Sequence, residues 1–342
     1  MAALHDKFGR AITDLRISIT DRCNYKCVYC RTGNEGALYG DLPFSDYLRM
    51  ARVLVGMGVT KVRLTGGEPL LRNGVIEFVR ELKKLRPEDG ELDIALTTNG
   101  HLLEEMAQPL KDAGLTRVTV SMDAVDPDRF ARITRVPNGY DHVLAGIRAA
   151  RHAGLWPLKV NCVLMRGFNE DQIIPFGMFA REEGVTVRFI EFMPLEEGRT
   201  WAPSTVVSLD EILARMAEYR PLVEIPHARS ETARRYRFED GVGEIGIIAP
   251  VSHPFCGHCS RIRITSDGKI RTCLFSGTSS SEWSRRKKNG TTSENPTLCP
   301  PRGPWSTSAA SGRDLVCYVL PSAFQRWPER RCKQRLYDKI DL

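Results

Sequence analysis

Strand-like and helix-like segments alternate along the first 220 residues of the chain. Short β-branched runs such as 61–65, 117–121 and 186–190 are separated by longer segments whose apolar residues recur at helical spacing. A strand, a helix and a further strand in this order predict a right-handed crossover between parallel neighbours. About six such units predict an α/β fold, either a doubly wound sheet or an open barrel. Both architectures place chemistry at the carboxyl ends of the strands.

The pattern changes twice in the remainder of the chain. After about residue 221 come short strand-like runs, and two of them flank the turn sequence Ser266-Asp267-Gly268, which predicts a β-hairpin. After Phe275 the sequence is rich in Ser, Thr and Pro without a sustained period, which predicts an irregular or disordered tail. We therefore divide the chain into residues 1–222, 223–276 and 277–342.

The charge of the chain is concentrated in that tail. Of the formal net charge of +7, residues 1–276 contribute +1, with 37 Lys and Arg against 36 Asp and Glu. Basicity confined to a terminal segment indicates a solvated tail and not a surface that tracks phosphates. No apolar run approaches the roughly 20 residues needed to cross a bilayer. We therefore predict neither a nucleic-acid nor a membrane partner.

Three cysteines directly follow the first predicted strand. Cys23, Cys27 and Cys30 have the spacing C-x3-C-x2-C, at the edge where a site is expected. Three thiolates hold a [4Fe–4S] cluster while leaving one iron open to a substrate or cofactor. The alternative is a structural zinc site, which requires a fourth ligand. Clustered cysteines without a secretory signal predict a cytoplasmic protein.

A second group of three cysteines lies in the C-terminal region. Cys256, Cys259 and Cys273 have the spacing C-x2-C-x13-C, and the predicted hairpin within the spacer can return the third thiolate to the first two. Zinc with His253 or His258 as fourth ligand is the alternative here.

Two arginines lie between the cysteines of this second group. Arg261 and Arg263 are two residues apart and therefore share one face of a strand. Two guanidinium groups beside a metal cluster predict a site for a polyanion such as a phosphate chain.

The first cysteine motif resembles that of the radical S-adenosylmethionine (SAM) enzymes. The segment Thr65-Gly66-Gly67-Glu68-Pro69, one strand–helix unit later, resembles the GGEP motif with which that superfamily contacts SAM. The resemblance implies a partial (β/α)6 TIM-like barrel of the radical SAM type, with a smaller C-terminal region that carries the hairpin and a second Fe–S cluster.

Within that superfamily the chain closely resembles the GTP 3',8-cyclase (MoaA) family of molybdenum cofactor biosynthesis, over about residues 5–276. Eight segments carry the resemblance: 8–10, 14–23, 63–70, 97–100, 121–123, 159–161, 188–194 and 255–275. The two cysteine spacings, in this order, make the resemblance specific.

The resemblance implies a role for each matching residue. The cysteines Cys23, Cys27 and Cys30 would hold the SAM-binding [4Fe–4S] cluster, and Cys256, Cys259 and Cys273 a second [4Fe–4S] cluster. Positions that contact SAM are Tyr29, Gly67, Ser121 and Met193. Positions that contact GTP are Arg16, Arg63, Thr97, Lys159, Arg261 and Arg263. No residue acts as a conventional acid or base.

The resemblance also implies the reaction and the partners. A SAM-derived radical would take hydrogen from C3' of GTP, and C3' would then bond to C8 of the guanine, which makes the enzyme a lyase. The implied partners are a reductant such as flavodoxin or ferredoxin, the downstream cyclic pyranopterin monophosphate synthase MoaC, and a second copy in a homodimer.

The tail departs from this family, whose members end in a Gly-Gly segment that reaches the active site. No Gly-Gly dipeptide follows Gly67 here, and we interpret residues 277–342 as translation in a shifted frame. Two alternatives stay open for function: a radical SAM peptide maturase with an auxiliary cluster, and an inactive homologue with an altered C-terminus.

Overall fold

A computed structural model describes residues 3–6, 8–30, 36–88, 90–195, 201–228 and 231–275. The tail 277–342, which the sequence predicts to be irregular, lies outside the described residues. No helix in the described part of the chain is long and apolar enough to cross a membrane.

Eleven strands and seven α-helices make up the described part. The strands are β1 (Asp14–Ser18), β2 (Lys61–Thr65), β3 (Asp93–Thr98), β4 (Arg117–Ser121), β5 (Lys159–Leu164), β6 (Thr186–Glu191), β7 (Leu222–Ile225), β8 (Arg234–Phe238), β9 (Glu244–Ile248), β10 (Arg261–Ile264) and β11 (Ile270–Arg271). The helices are α1 (Phe44–Val55), α2 (Val75–Lys83), α3 (Leu103–Asp112), α4 (Pro127–Thr134), α5 (Gly139–His152), α6 (Ile173–Glu182) and α7 (Leu209–Tyr219).

All eleven strands belong to one sheet, in the order β11-β10-β1-β2-β3-β4-β5-β6-β9-β8-β7. Strands β1 to β6 are parallel and in sequence order, as the alternating pattern predicts. Strand β10 adds in parallel to one side of this set and β9 to the other. The C-terminal region therefore extends both sides of the barrel sheet. The boundary at residue 222 stays a prediction.

The sheet is curled, and a pair of arginines shows it. Strands β1 and β6 are five positions apart in the sheet, which on a flat sheet would separate them by about 24 Å. Arg16 on β1 and Arg188 on β6 nevertheless line one cavity. Burial, together with the charge of Arg16, lowers the pKa of Arg188 to about 10. Such coupling requires the two strands to face each other across an interior, as in the predicted partial barrel.

The outer helices cover the sheet with their apolar faces. In α1 the buried residues Tyr47, Met50, Ala51 and Leu54 recur at helical spacing, as the sequence predicts. The predicted bounds of β2 and β4 match the structure. Strand β7 was not predicted, because it is short, follows Pro221 and exposes much of its surface, which leaves no clear alternation.

A buried carboxylate joins the barrel to the C-terminal region. Glu191, the last residue of β6, is fully buried and accepts hydrogen bonds from three backbone N–H groups. These belong to Leu209 at the start of α7 (3.0 Å), Val251 (2.8 Å) and Ser252 (2.9 Å). One side chain therefore holds the start of a helix and the segment that leads to Cys256.

We expect Glu191→Gln to lower the free energy of unfolding by about 2–3 kcal/mol, because an amide replaces one oxygen that accepts from buried N–H groups. Urea denaturation of the purified chain measures this change. The control Glu105→Gln, on an exposed position of α3, should change stability by less than about 0.5 kcal/mol. Equal midpoints for the two variants would contradict the role given to Glu191.

Candidate active site

The loop of the first cysteine group is fastened to the end of α4. Backbone N–H groups of Lys26 and Val28 donate to the carbonyls of Thr134 (3.1 Å) and Ile133 (3.0 Å), and Cys30 N–H donates to Cys27 O (3.1 Å). The loop follows β1, so the three thiols lie at the carboxyl edge of the barrel, as predicted.

The three thiols are electrostatic neighbours. Burial, together with the charges of Glu68 and Cys30, raises the pKa of Cys23 to about 11. Burial also raises the pKa of Cys27, and Asp123, Cys30 and Cys23 add to that shift. A positively charged centre is therefore needed to keep these groups as thiolates.

The donor set of this loop fits an iron–sulfur cluster. A [4Fe–4S] cluster binds each thiolate through a separate iron, so three neighbouring cysteines can hold it and leave the fourth iron open. In the part of the chain that the structure describes, no three His, Cys, Asp or Glu side chains are grouped as ligands of one metal ion.

Two glycines let the loop after β2 lie directly on the cysteine loop. A Cβ on Gly66 would lie 2.3 Å from Thr20 O, and one on Gly67 would lie 2.2 Å from Arg22 O. Gly67 N–H donates to Thr20 O (2.9 Å), and Glu68 N–H donates to Arg22 O (2.7 Å). These glycines permit an approach between two backbones, a role that sequence reasoning did not anticipate.

Glu68 connects the same loop to the loop after β3. Its buried carboxylate accepts from Leu70 N–H (2.9 Å), Thr98 Oγ1 (2.8 Å) and Asn99 N–H (2.6 Å). The Asn99 amide donates in turn to Asn24 Oδ1 (2.8 Å), beside Cys23. Burial raises the pKa of Glu68 to about 7, against these hydrogen bonds.

The predicted SAM positions lie along one edge of the barrel. Gly67 follows β2, Ser121 ends β4, and Met193 follows β6. The Tyr29 hydroxyl donates to Asp123 (2.7 Å), two residues beyond Ser121, and the Tyr29 ring meets Phe192 edge to face at 6.5 Å. Tyr29 is thereby held between the segments that carry Ser121 and Met193. Asp123 was not singled out from the sequence.

A cavity lined by cations opens at the opposite end of the barrel, where the strands begin. Its cationic residues are Arg16, Lys61, Arg63, Arg117, Lys159, Arg188, Arg235 and Arg261, and its acidic residues are Asp14, Glu231 and Glu244. The sequence pattern singled out only the carboxyl ends of the strands, whereas these cations line the amino-terminal end.

Four of the six predicted GTP positions line this cavity: Arg16, Arg63, Lys159 and Arg261. Thr97 lies beside it and accepts a hydrogen bond from Arg63 (3.1 Å). Burial lowers the pKa of Arg263, and the nearby charge of Arg261 contributes to the same shift. The two guanidinium groups therefore lie close together.

Four further cations were missed: Lys61, Arg117, Arg188 and Arg235. All four lie at or near the start of predicted strands, which is the signal that could have found them.

Hydrogen bonds hold the arginines of the interior in place. Arg63 donates to Thr119 Oγ1 (3.2 Å), and Arg188 donates to Asn161 Oδ1 (2.9 Å) and also reaches Thr119 (3.5 Å). Across from Arg188, a Cβ on Gly246 would lie 2.9 Å from Arg188 Cγ, so the glycine makes room for the side chain. Burial lowers the pKa of Arg63, and the charges of Arg16 and Arg188 lower it further.

The buried polar atoms without a partner point to a ligand. Among the described residues these atoms are Asp14 Oδ1, Arg16 Nε and Arg263 Nη1. Buried donors are normally satisfied, and leaving them unpaired costs stability. Two unpaired guanidinium N–H groups near a set of repelling cations therefore fit a polyanionic ligand.

The second cysteine group lies at this same end of the barrel. Cys256 and Cys259 precede β10, and Cys273 follows β11, which pairs antiparallel with β10. The predicted hairpin thus returns the third cysteine to the first two. Arg261 Nε donates to Cys259 Sγ (3.3 Å), and the Arg10 guanidinium donates to Cys256 O. His258 is exposed, and His253 Nδ1 bonds to Ser252 Oγ (3.0 Å).

Comparison with known proteins gives one family match for the part of the chain that carries the first cysteine group and another for the part that carries the second. Residues 17–180 match the Radical SAM superfamily, and residues 185–293 match the family Molybdenum Cofactor Synthesis C. The chain is 43 % identical over 280 residues to the GTP 3',8-cyclase of Acidothermus cellulolyticus, covering 80 % of this chain and 76 % of that one. It is 44 % identical over 277 residues to the GTP 3',8-cyclase of Moorella thermoacetica, covering 80 % and 84 %.

Solved structures share the fold at low identity. SuiB of Streptococcus suis, solved with S-adenosylmethionine, aligns with a TM-score of 0.61 at 16 % identity, over 80 % of this chain and 63 % of that one. The enzyme anSMEcpe with bound AdoMet aligns with a TM-score of 0.56 at 17 % identity, over 77 % and 74 %.

We expect nucleoside triphosphate binding to weaken about tenfold between pH 7 and pH 9, because one cavity cation loses its proton. Burial lowers the pKa of Lys159 to about 8, with Arg188 and Arg117 adding to the shift. A bound polyanion raises that pKa again, so binding takes up a proton above pH 8. The last phosphate proton dissociates at about pH 6, so the triphosphate is fully ionised across this pH range.

Equilibrium dialysis across this pH range checks the expectation. The variant Lys159→Arg keeps its positive charge at every pH tested. Its affinity for the nucleoside triphosphate should therefore stay constant between pH 7 and pH 9, where the unmodified chain binds more weakly. The same pH profile for both proteins would show that Lys159 is not the titrating group.

Proposed function

The chain belongs to the GTP 3',8-cyclase family of radical SAM enzymes, and on this premise we propose that it converts GTP to (8S)-3',8-cyclo-7,8-dihydroguanosine 5'-triphosphate. This is the first step of molybdenum cofactor biosynthesis. The observation that carries the proposal is a cationic cavity inside the barrel, with one cysteine group at each end. A peptide maturase, the alternative from sequence, has no need of eight cations around its substrate.

The carboxyl edge of the barrel is the site proposed for SAM. Cys23, Cys27 and Cys30 would hold a [4Fe–4S] cluster, and when bound this cluster and SAM supply the one-electron chemistry that generates a 5'-deoxyadenosyl radical. Four residues along this edge would contact SAM: Tyr29, Gly67, Ser121 and Met193. The hydrogen bond from Tyr29 to Asp123 supports this placement, because it orders the aromatic ring next to the cysteines.

The cationic cavity is the site proposed for GTP. The contact set is Arg16, Arg63, Thr97, Lys159, Arg261 and Arg263, to which we add Lys61, Arg117 and Arg188 from the lining of the cavity. Several converging cations neutralise a triphosphate that enters a poorly solvated interior. The barrel wall would orient the ribose and exclude water once GTP is bound, and both conditions favour selective hydrogen transfer.

The amino-terminal end would hold a second [4Fe–4S] cluster on Cys256, Cys259 and Cys273. The unpaired donor of Arg263 and the contact of Arg261 with Cys259 link these cysteines to the nucleotide cavity.

We also propose the partners that this chemistry requires. A one-electron carrier such as flavodoxin or ferredoxin would supply electrons, and cyclic pyranopterin monophosphate synthase MoaC would take the product. Reduced cysteines as cluster ligands favour a cytoplasmic location. A homodimer and the shifted frame of residues 277–342 stay predictions, the latter checked by sequencing the gene across codon 275.

We expect the reconstituted full chain, incubated without oxygen with SAM, dithionite and GTP, to form 5'-deoxyadenosine and the cyclised nucleotide. Cys27→Ser should abolish both products, because the first cluster loses a ligand. Cys259→Ser should retain 5'-deoxyadenosine and lose the cyclised nucleotide. Mass spectrometry follows both products.

Cys162→Ala is the control, because Cys162 lies buried on β5 outside both cysteine groups, and it should keep both products. Neither product from the unmodified chain with both clusters loaded would identify an inactive homologue. Full cyclisation by Cys259→Ser would remove the second cluster from the proposal.

A further inference from the structure

The turn that carries the first two cysteines of the second group is bonded to the beginning of the chain. Within the turn, Cys259 N–H donates to Cys256 O (3.2 Å) and closes the single helical turn Cys256–His258. The same carbonyl oxygen also accepts from the guanidinium of Arg10, which lies 246 positions earlier in the sequence. Arg10 therefore contacts the backbone of a residue expected to be a cluster ligand.

A buried carboxylate orients this arginine. The side chain of Asp6 is only 4 % exposed, and it forms an ion pair with the guanidinium of Arg10. The same carboxylate accepts from the backbone N–H groups of Phe8 (2.9 Å) and Arg10 (2.9 Å), while Asp6 N–H donates to Arg10 O (3.0 Å). Because both the backbone and the guanidinium of Arg10 are held by Asp6, the direction in which it donates to Cys256 is fixed.

The other end of the turn is bonded to the residues that follow Arg10. The backbone N–H groups of Thr13 and Asp14 both donate to Ser260 O (3.0 Å), immediately after Cys259. The N-terminal segment, residues 4–14, thus holds the turn at both ends and continues directly into β1. The first cysteine group has a different support, since its loop is bonded to the end of α4.

The contact between Arg10 and Cys256 has a chemical consequence for a bound cluster. Two of the three thiolates of the second group come from this one turn, so the direction of its backbone sets the direction of both side chains. Residues that orient metal ligands without binding the metal typically change metal affinity by about 10- to 100-fold. The loss of one backbone contact in this turn should therefore weaken the hold on a cluster without altering a ligand.

We propose that Arg10, oriented by Asp6, is a positioning residue that lets the second cysteine group retain its cluster. The proposal rests on the proposed function, from which it takes the occupant of these cysteines. Residues 8–10 are among the segments that carry the family resemblance, but no role was assigned to them from the sequence.

The test compares the two cysteine groups within the full chain. In the background Cys27→Ser only the second group can hold a complete cluster, and in Cys259→Ser only the first. Arg10→Gln is added to each background, the proteins are reconstituted without oxygen, and the loss of iron to a chelator is followed by absorbance. Arg10→Gln should accelerate this loss at least about tenfold in Cys27→Ser and leave it unchanged in Cys259→Ser.

Arg181→Gln is the matched control. Arg181 likewise pairs with one carboxylate, that of Asp240 (2.8 Å), and donates to one backbone carbonyl, that of Val242 (2.7 Å), but it lies on α6 outside both cysteine groups. It should leave both rates unchanged. Arg10→Lys keeps the charge and a donor, so its rate in Cys27→Ser should lie between those of the unmodified residue and Arg10→Gln.

Three results would overturn the proposal. Equal acceleration in both backgrounds would mark a general loss of structure and not a role at the second group. An unchanged rate in Cys27→Ser would remove Arg10 from the second group while the proposed function stands. A chain with the native Arg10 that takes up no cluster at Cys256, Cys259 and Cys273 would overturn the second cluster of the proposed function together with this inference.

Discussion

Repulsion among arginines in a poorly solvated interior is the constraint on which the rest of this structure depends. Arg16, Arg63 and Arg188 come from three different strands, and burial together with their mutual charge lowers the pKa of Arg63 and Arg188. Such a group is unfavourable by itself, because desolvation and like charge act in the same direction. It becomes favourable when a polyanion enters, so the interior is organised for its substrate and not for stability alone.

The curled sheet makes this arrangement possible. Parallel strands carry their first residues to one end of the barrel and their following loops to the other. The cations therefore gather at one end, and the first cysteine group gathers at the opposite end. Strand β10 extends the sheet beside β1 and brings the second cysteine group against the cations. A substrate in the interior would lie between two clusters without a separate domain having to close over it.

Buried carboxylates keep the loops at both ends in register. Glu68 joins the loops after β2 and β3 next to the first cysteine group, and Glu191 joins β6 to the segment before the second. Each accepts several backbone hydrogen bonds, so each offsets the cost of its own burial. Their neighbours Gly66 and Gly67 act by allowing two backbones to touch. Both groups of residues position the site without belonging to the set expected to contact SAM or GTP.

Alternating strands and helices and two cysteine spacings were enough to predict the parallel fold and the radical SAM family, because these features depend on residues close together in the chain. The residue sets for SAM and GTP rest on the resemblance and stay predictions. The tertiary structure decided which end of the barrel each group occupies. It also decided that Lys61, Arg188 and Asp14 share a cavity with Arg16, and that Asp123 accepts a hydrogen bond from Tyr29. Those relations join strands that are far apart in sequence, and only the curl of the sheet brings them together.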